Sequence, residues 1–396
     1  AFADWDHDGD LDLTVVEWYA GALQVEGMDT IEDFMSLSMC AKADTLESLA
    51  DNGAPTTHHR PSLSRMYRND GGAVFTDVTA GSGIDFSEVT AFTPTFADID
   101  NDGWEDLLVA GDFCTSRIYL NEAGSGFTDI TDSAGVGGDE NGMGSVVEDF
   151  DRDGNLDWFV TSVSYPTGDG NCPFVGHVNG CSGNRLYLGD GNGSFVDATD
   201  DFGVRDGSWG WGAIAEDLNN DGQTELFMAN GYWGEDAREV FEDDPNRLWL
   251  GRAEGPRPEV SEVAGLDDRA NGKAVIPFDM DSDGDLDLLV ANTTDPPLLY
   301  RNDTPLGNHW VRVELSQPGP NTRGVGATVV VHPSGAEPIT REVRAGGPFQ
   351  GSVPTELHFG IGDADIERIE VFWPGEEQPQ VLTSPEADRL VVVERS

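Results

Sequence analysis

Short alternating runs of apolar and polar residues, broken by Gly, Asn and Asp, fill the chain, and this two-residue period predicts strands. Five apolar runs, LTVV, LLVA, WFVT, LFMA and LLVA, each leave an acidic turn. Further on, RMYRNDGG, RIYLNEAGSG, RLYLGDGNG and RLWLGRAEG alternate into a Gly/Asn/Asp turn, followed by FTDVT, FTDIT, FVDAT or the looser PEVSEV. Each of these pairs reads as a hairpin. A weaker copy, LLYRND, starts at Leu298. Only MDTIEDFMSLSMCAKADTLESLA, inside an insertion running from Tyr19 to Ser64, has apolar residues three and four apart and predicts a helix.

The acidic turns are copies of one nine-residue pattern: DWDHDGDLD, DIDNDGWED, DFDRDGNLD, DLNNDGQTE and DMDSDGDLD. Acidic or amide side chains fall at positions one, three, five and nine, with Gly at six. Calcium takes six to eight oxygen ligands, so alternate carboxylates and a carbonyl at position seven suit it, with Gly permitting the turn. The ligands predicted this way are Asp4, Asp6, Asp8, Asp10 and Asp12 in the first loop. In the second they are Asp98, Asp100, Asp102, Trp104 and Asp106, and in the third Asp149, Asp151, Asp153, Asn155 and Asp157. The fourth offers Asp217, Asn219, Asp221, Gln223 and Glu225, with fewer carboxylates, and the fifth Asp279, Asp281, Asp283, Asp285 and Asp287. An EF-hand needs a bidentate Glu at position twelve. Val15, Val109, Val160, Met228 and Val290 stand there instead, inside strands, which excludes it.

Spacing sets the architecture. From each hairpin to the next acidic loop the distance is 33, 32, 32 and 32 residues, whereas from loop to hairpin it is 61, 19, 36, 30 and 19. All length variation therefore sits in one connection per unit. Each unit has four strands, and radial repetition of four-stranded sheets is a β-propeller. The outgoing strand crosses its sheet once, so the insertions are expected on the face opposite the acidic loops. The last unit stops after its third strand, near Asp303, so the expectation is a propeller over 1–303 that has lost residues upstream of Ala1. Beyond it, NHWVRVEL, NTRGVGATVVVHP, REVRAGG, LHFGIG, IERIEVFWPG and LVVVERS predict a small antiparallel sandwich over 304–396.

The loops and their hairpins resemble the FG-GAP/VCBS repeats of extracellular propellers. NHWVRVEL, NTRGVGATV, REVRAGG, HFGIG and VFWPG look like the ASPIC/UnbV domain of the cartilage acidic protein family and its bacterial relatives. The resemblance implies a secreted calcium-binding propeller with a C-terminal β-domain. It implies no particular reaction.

Composition narrows the function. With 74 acidic against 22 basic residues the formal charge is −52, which leaves no basic footprint for nucleic acid or anionic membranes. Five divalent ions still leave about −42, a charge suited to solubility at high ionic strength. No apolar run approaches the ~18 residues of a membrane span, and the chain opens at Ala1 without Met, a basic stretch or an apolar core, so any export signal is expected to lie outside it. Cys172 with Cys181, and Cys40 with Cys114, are disulfide candidates in an oxidising compartment.

The leading expectation is a secreted, periplasmic or cell-surface propeller, stabilised by about five calcium ions, that binds a protein or glycan through its insertion-bearing face. Arg60, Tyr232, Trp233, Glu235 and Asp236 are the ligand-face candidates. The alternative is an enzyme on that face, with His58, His59 and His177 as candidates and no motif that specifies a reaction class. Trp209 and Trp211, just before the fourth loop, are expected to pack between sheets.

Overall fold

The computed structural model describes residues 1–18, 62–87, 89–164, 182–232, 241, 243–304, 307–376 and 378–395. The first sheet is built in chain order from β1 (Phe2–Ala3), β2 (Asp12–Val15), β3 (Arg65–Asn69) and β4 (Phe75–Asp77). The second repeats that order with β5 (Thr90–Ala97), β6 (Asp106–Asp112), β7 (Arg117–Asn121) and β8 (Phe127–Asp129). The third does so with β9 (Ser145–Glu148), β10 (Asp157–Val160), β11 (Arg185–Gly189) and β12 (Phe195–Asp197). Two three-stranded sheets follow: β13 (Gly210–Glu216), β14 (Glu225–Asn230) and β15 (Arg247–Trp249), then β16 (Gly272–Phe278), β17 (Asp287–Asn292) and β18 (Leu298–Tyr300). Every pairing within these sheets is antiparallel.

The fourth sheet departs from the four-strand expectation for a chemical reason. Its outer segment contains Pro256 and Pro258, which cannot donate to a ladder, and it is reduced to a bridge between Trp249 and Glu259. The fifth sheet ends at β18, as the repeat register requires.

Each FTDVT-type segment also does more than form a strand. Asp77, Asp129 and Asp197 accept from the N–H of Thr79, Thr131 and Thr199, at 3.0, 2.9 and 3.0 Å. Each threonine hydroxyl in turn accepts from the third strand, from Met66, Ile118 and Leu186 N–H at 2.9, 3.0 and 2.9 Å. This double anchor starts a single helical turn such as Thr131–Ala134, stopped by Gly135 at φ +78°.

Cores lie between sheets. One apolar cluster joins the first and second sheets through Trp5, Phe96 and Leu107, and another joins the second and third through Leu108 and Trp158. A third joins the third and fourth through Phe159 and Met228, and a fourth joins the fourth and fifth through Phe227 and Val290. The inner strands β5, β9, β13 and β16 touch one another in that order. Sheets stacked face to face in sequence about a common line of inner strands are the packing of a propeller. Among the described residues no such cluster joins the fifth sheet to the first.

The tail folds as two sheets. One has the order β22 (Leu357–Gly362), β19 (His309–Ser316), β25 (Arg389–Glu394), and the other β21 (Ile339–Glu342), β20 (Thr328–Pro333), β23 (Ile366–Phe372), β24 (Gln380–Thr383). Val311, Val313, Phe359, Val329, Val331, Ile369 and Trp373 fill the space between them, which makes a sandwich. It has seven strands where six segments were legible, the extra one being β24. The β19–β25 pair is parallel, unlike the antiparallel expectation, because the last strand returns beside the first instead of beside its hairpin partner.

Candidate metal centre

All five acidic turns close in one way. The carboxylate at position one accepts from the Gly N–H at position six: Asp4 from Gly9 at 3.2 Å, Asp98 from Gly103 at 2.8 Å and Asp149 from Gly154 at 3.0 Å. Asp217 does so from Gly222 at 2.7 Å and Asp279 from Gly284 at 3.1 Å. The carboxylate at position five accepts from the position-seven N–H, as in Asp102 with Trp104 at 2.9 Å and Asp221 with Gln223 at 2.8 Å. Gly at position six lies at φ +84° to +96°, where a side chain is strained.

Position nine is a keystone. Asp12, Asp106, Asp157 and Asp287 are each 1 % exposed and Glu225 2 %, so these carboxylates belong to the interior. Asp106 accepts from Ile99 N–H at 3.0 Å within its loop and from Asn121 N–H at 2.7 Å on the third strand. Asp157 does the same with Phe150 and Gly189 at 2.7 and 2.8 Å, and Asp287 with Met280 and Asn302 at 2.7 and 2.8 Å. One side chain thereby ties the loop to the hairpin strand that follows.

The cost of this arrangement is electrostatic. Burial, reinforced by neighbouring carboxylates, pushes Asp4 up to about 6 and Asp98, Asp149 and Asp217 to about 7. Burial likewise raises Asp12, Asp157 and Glu225 to about 8 and Asp106 to about 9. A divalent cation reverses that pressure by favouring the charged form. The residues fit one. Carboxylate oxygens of Asp4, Asp6 and Asp8 lie within 4.8 Å of one another, as do those of Asp98, Asp100 and Asp106, of Asp149, Asp151 and Asp157, and of Asp279, Asp281 and Asp287. The donors are all hard oxygens, and Asp12 Oδ2 is buried without a hydrogen-bond partner. These four clusters could hold metal ions. The fourth loop forms no such group because Asn219 stands at position three.

Position four carries a role that the sequence pattern did not assign. His7, Asn101, Arg152, Asn220 and Ser282 all lie at positive φ, between +54° and +64°. Asn and His tolerate this region better than most residues, a signal the loops did carry. Three of the position-four side chains reach the neighbouring loop. His7 stacks on Trp104 at 3.8 Å, Asn101 donates to Asn155 Oδ1 at 3.1 Å, and Asn220 donates to Asp285 Oδ1 at 2.8 Å.

The C-terminal sandwich sits on this loop face. Asn321 N–H donates to Gly9 O at 3.0 Å, Asp98 N–H to Glu342 at 3.3 Å, and Arg152 to Glu337 O at 2.7 Å. Asn308 donates to Asn219 O at 3.0 Å, and Arg312 pairs with Asp279 at 3.1 Å. Arg341, 7 % exposed, reaches Glu148 at 3.0 Å, pairs with Glu216, and donates to the carbonyls of His358 at 2.7 Å and Ala215 at 2.9 Å.

The opposite end carries the connections that vary in length. Among the ligand-face candidates Tyr232 is described, stacked on Trp209 at 4.2 Å beside Phe241. Trp211 lies 6.0 Å from Phe92 of the second sheet and 5.2 Å from Phe349 of the tail, whereas the ring partners of Trp209, Tyr232 and Phe241, belong to its own repeat unit. Arg60, Trp233, Glu235, Asp236, His58, His59, His177, Cys40, Cys172 and Cys181 lie outside the described residues. Cys114, in the turn after β6, is not a free thiol. Among the described residues no helix is long and apolar enough to cross a membrane.

Comparison with known proteins agrees with this geometry. The FG-GAP-like repeat model matches residues 98–160 and 167–228, and the ASPIC and UnbV model matches residues 317–396. Cartilage acidic protein 1 of Xenopus tropicalis is 28% identical over 291 residues, 70% of this chain and 40% of that protein. The mouse and human proteins of that name (Mus musculus, Homo sapiens) are each 26% identical, over 75% of this chain and 42% and 41% of their own lengths. The chain thus spans about two fifths of the length of the curated relatives it matches. Repeats, tail and relatives agree with the resemblance in the loops: the chain carries FG-GAP-like repeats followed by a C-terminal ASPIC and UnbV domain.

Proposed function

We propose that this chain is an extracellular, calcium-stabilised propeller that binds a protein or glycan partner through its insertion-bearing face. One observation carries the reading: the sandwich covers the acidic-loop end of the sheets, so the end with the variable connections is the one left to meet a partner. Calcium acts structurally. Asp, Asn and Glu oxygens at alternate positions would hold it, and its charge would offset the repulsion among three to five carboxylates crowded into each turn. Oxygen-only donors in a flexible loop favour calcium over magnesium, which demands a tighter octahedron. The enzyme reading has its histidines outside the described residues, and no observation favours it.

At the open end Trp18 is 47% exposed, stacks on Phe92 at 5.7 Å and donates to Asp112 at 3.0 Å. A half-exposed aromatic held by such contacts suits a sugar ring or an apolar side chain. The test is binding of the calcium-loaded chain to a glycan array and to extracellular matrix proteins, alongside Trp18→Ala. Saturable binding that falls about tenfold or more in the variant supports the reading, since a partner-contacting aromatic contributes on the order of 2 kcal/mol. Binding unaffected by this variant and by replacement of the variable connections contradicts it.

A further inference from the structure

The contacts between sandwich and loops have a common character. Asn321 meets Gly9 O at position six, Glu342 meets Asp98 N–H at position one, and Asn308 meets Asn219 O at position three. Gly362 N–H donates to Asn220 O, at position four, at 2.9 Å. The Asn220 side chain also faces His358 Nε2 at 2.6 Å, and its amide is oriented by donation to Asp285. Most of these partners are main-chain atoms of the loops. Their positions follow from the positive φ at positions four and six and from the inward-turned carboxylates, the same geometry a bound cation holds in place.

A second element of the tail enters the repeat region itself. After β21 the chain passes Arg344, and Phe2 N–H donates to Ala345 O at 2.8 Å, which gives β1 a bridge partner from the sandwich. Phe349 then stands against Phe92 at 5.5 Å and Trp211 at 5.2 Å, and Val353 packs into the core between the fourth and fifth sheets. The stretch 344–353 therefore touches the first, second, fourth and fifth sheets. Gly347, at φ +157°, and Gln350, at φ +54°, give it the turns it needs to enter and leave.

We propose that the acidic loops, four of which bring together carboxylates that could hold a cation, act as one cation-dependent docking surface whose occupant is the chain's own ASPIC/UnbV sandwich, with Phe349 as its axial anchor. The proposal rests on the calcium reading above and adds regulation to it. Loss of the cations lets the loop carbonyls and N–H groups turn away, and the sandwich loses main-chain hydrogen bonds on the first, second and fourth loops together with its side-chain contacts on the third and fifth. The repeat sheets keep their own interlayer cores, which contain almost no tail residues, so undocking precedes unfolding.

The test uses the full chain with a protease site placed between residues 304 and 308, cut after purification. In excess calcium the two fragments are expected to co-elute on size exclusion. On titration with EDTA they separate at a higher free calcium concentration than the one at which the β-sheet circular dichroism is lost. Fragments that stay together without calcium overturn the proposal, as does a separation that coincides with loss of the β signal. Phe349→Ala is expected to raise the free calcium needed for association by about tenfold, and an unchanged requirement removes the axial anchor. Calorimetric calcium titration of the same sample separates two failures. Absence of calcium binding sinks the functional reading, whereas binding without any effect on association sinks this inference alone.

Discussion

The two ends of the sheets are held by different physics. At the acidic-loop end, buried carboxylates, left-handed residues and a fully paired Arg341 fix main-chain atoms to within hydrogen-bond tolerance, and the sandwich covers the result. At the other end, aromatic contacts such as Trp209 on Tyr232 and Trp18 on Phe92 leave the length of each connection free. An end built on backbone geometry tolerates no insertion, and each of its five acidic loops keeps the same nine-residue length. An end built on side-chain packing accepts insertions, and there the spacing ranges from 19 to 61 residues. Length variation is thus confined to one connection per unit, at the end away from the acidic loops.

This contrast is broken most severely by Arg341→Ala. It strands Glu216 as a buried charge without its ion-pair partner and leaves Glu148 only the longer 3.6 Å contact with Arg344, so a loss of about 3–5 kcal/mol is expected from the urea midpoint in calcium. A loss below about 1 kcal/mol would show that the loop end is not specially constrained. Asp106→Ala comes next. It leaves the N–H groups of Ile99 and Asn121 without their acceptor, at a cost of about 3 kcal/mol, and calorimetry should count one calcium equivalent fewer.

Proton linkage sharpens the comparison. Asp12, Asp106, Asp157 and Glu225 have folded values near 8 or 9, above their unfolded values near 4. Without metal the fold prefers the protonated forms. That contribution is complete below about pH 4 and is lost as pH rises through 8 to 9. In EDTA the melting temperature should therefore fall between pH 5 and 8, and calcium, which binds the ionised forms, should remove or reverse the slope. A metal-free chain whose stability rises over that range contradicts the buried-carboxylate picture. The smallest effect belongs to Trp18→Ala at the open end, about 1 kcal/mol or less, and a larger loss would mean that this end is load-sharing.

Much of this was legible because it is local. Loop positions one, three, five, six and nine, the strands after them and the hairpins all lie within one repeat, so five copies reinforce each other. Position four escaped because its identity changes, His, Asn, Arg, Asn and Ser, while its φ does not. The threonine anchors after β4, β8 and β12 were visible as letters but read only as strand. Docking of the sandwich was not legible at all. Arg341 and Glu148 are 193 residues apart, and Phe2 meets Ala345 across almost the whole chain. Such contacts occur once and leave no period. The stretch REVRAGGPFQG carries turn residues but no sign of the sheets it enters.

The central claim is that the acidic turns hold cations on which the structure depends, and thermal unfolding of the intact chain in excess calcium and in EDTA tests it most directly. Each site occupied at about 100 times its dissociation constant adds about 2.7 kcal/mol, so several sites together should raise the midpoint by about 10 °C or more. The account predicts that drop in EDTA, full recovery with calcium and poor recovery with magnesium. A midpoint indifferent to all three conditions contradicts it.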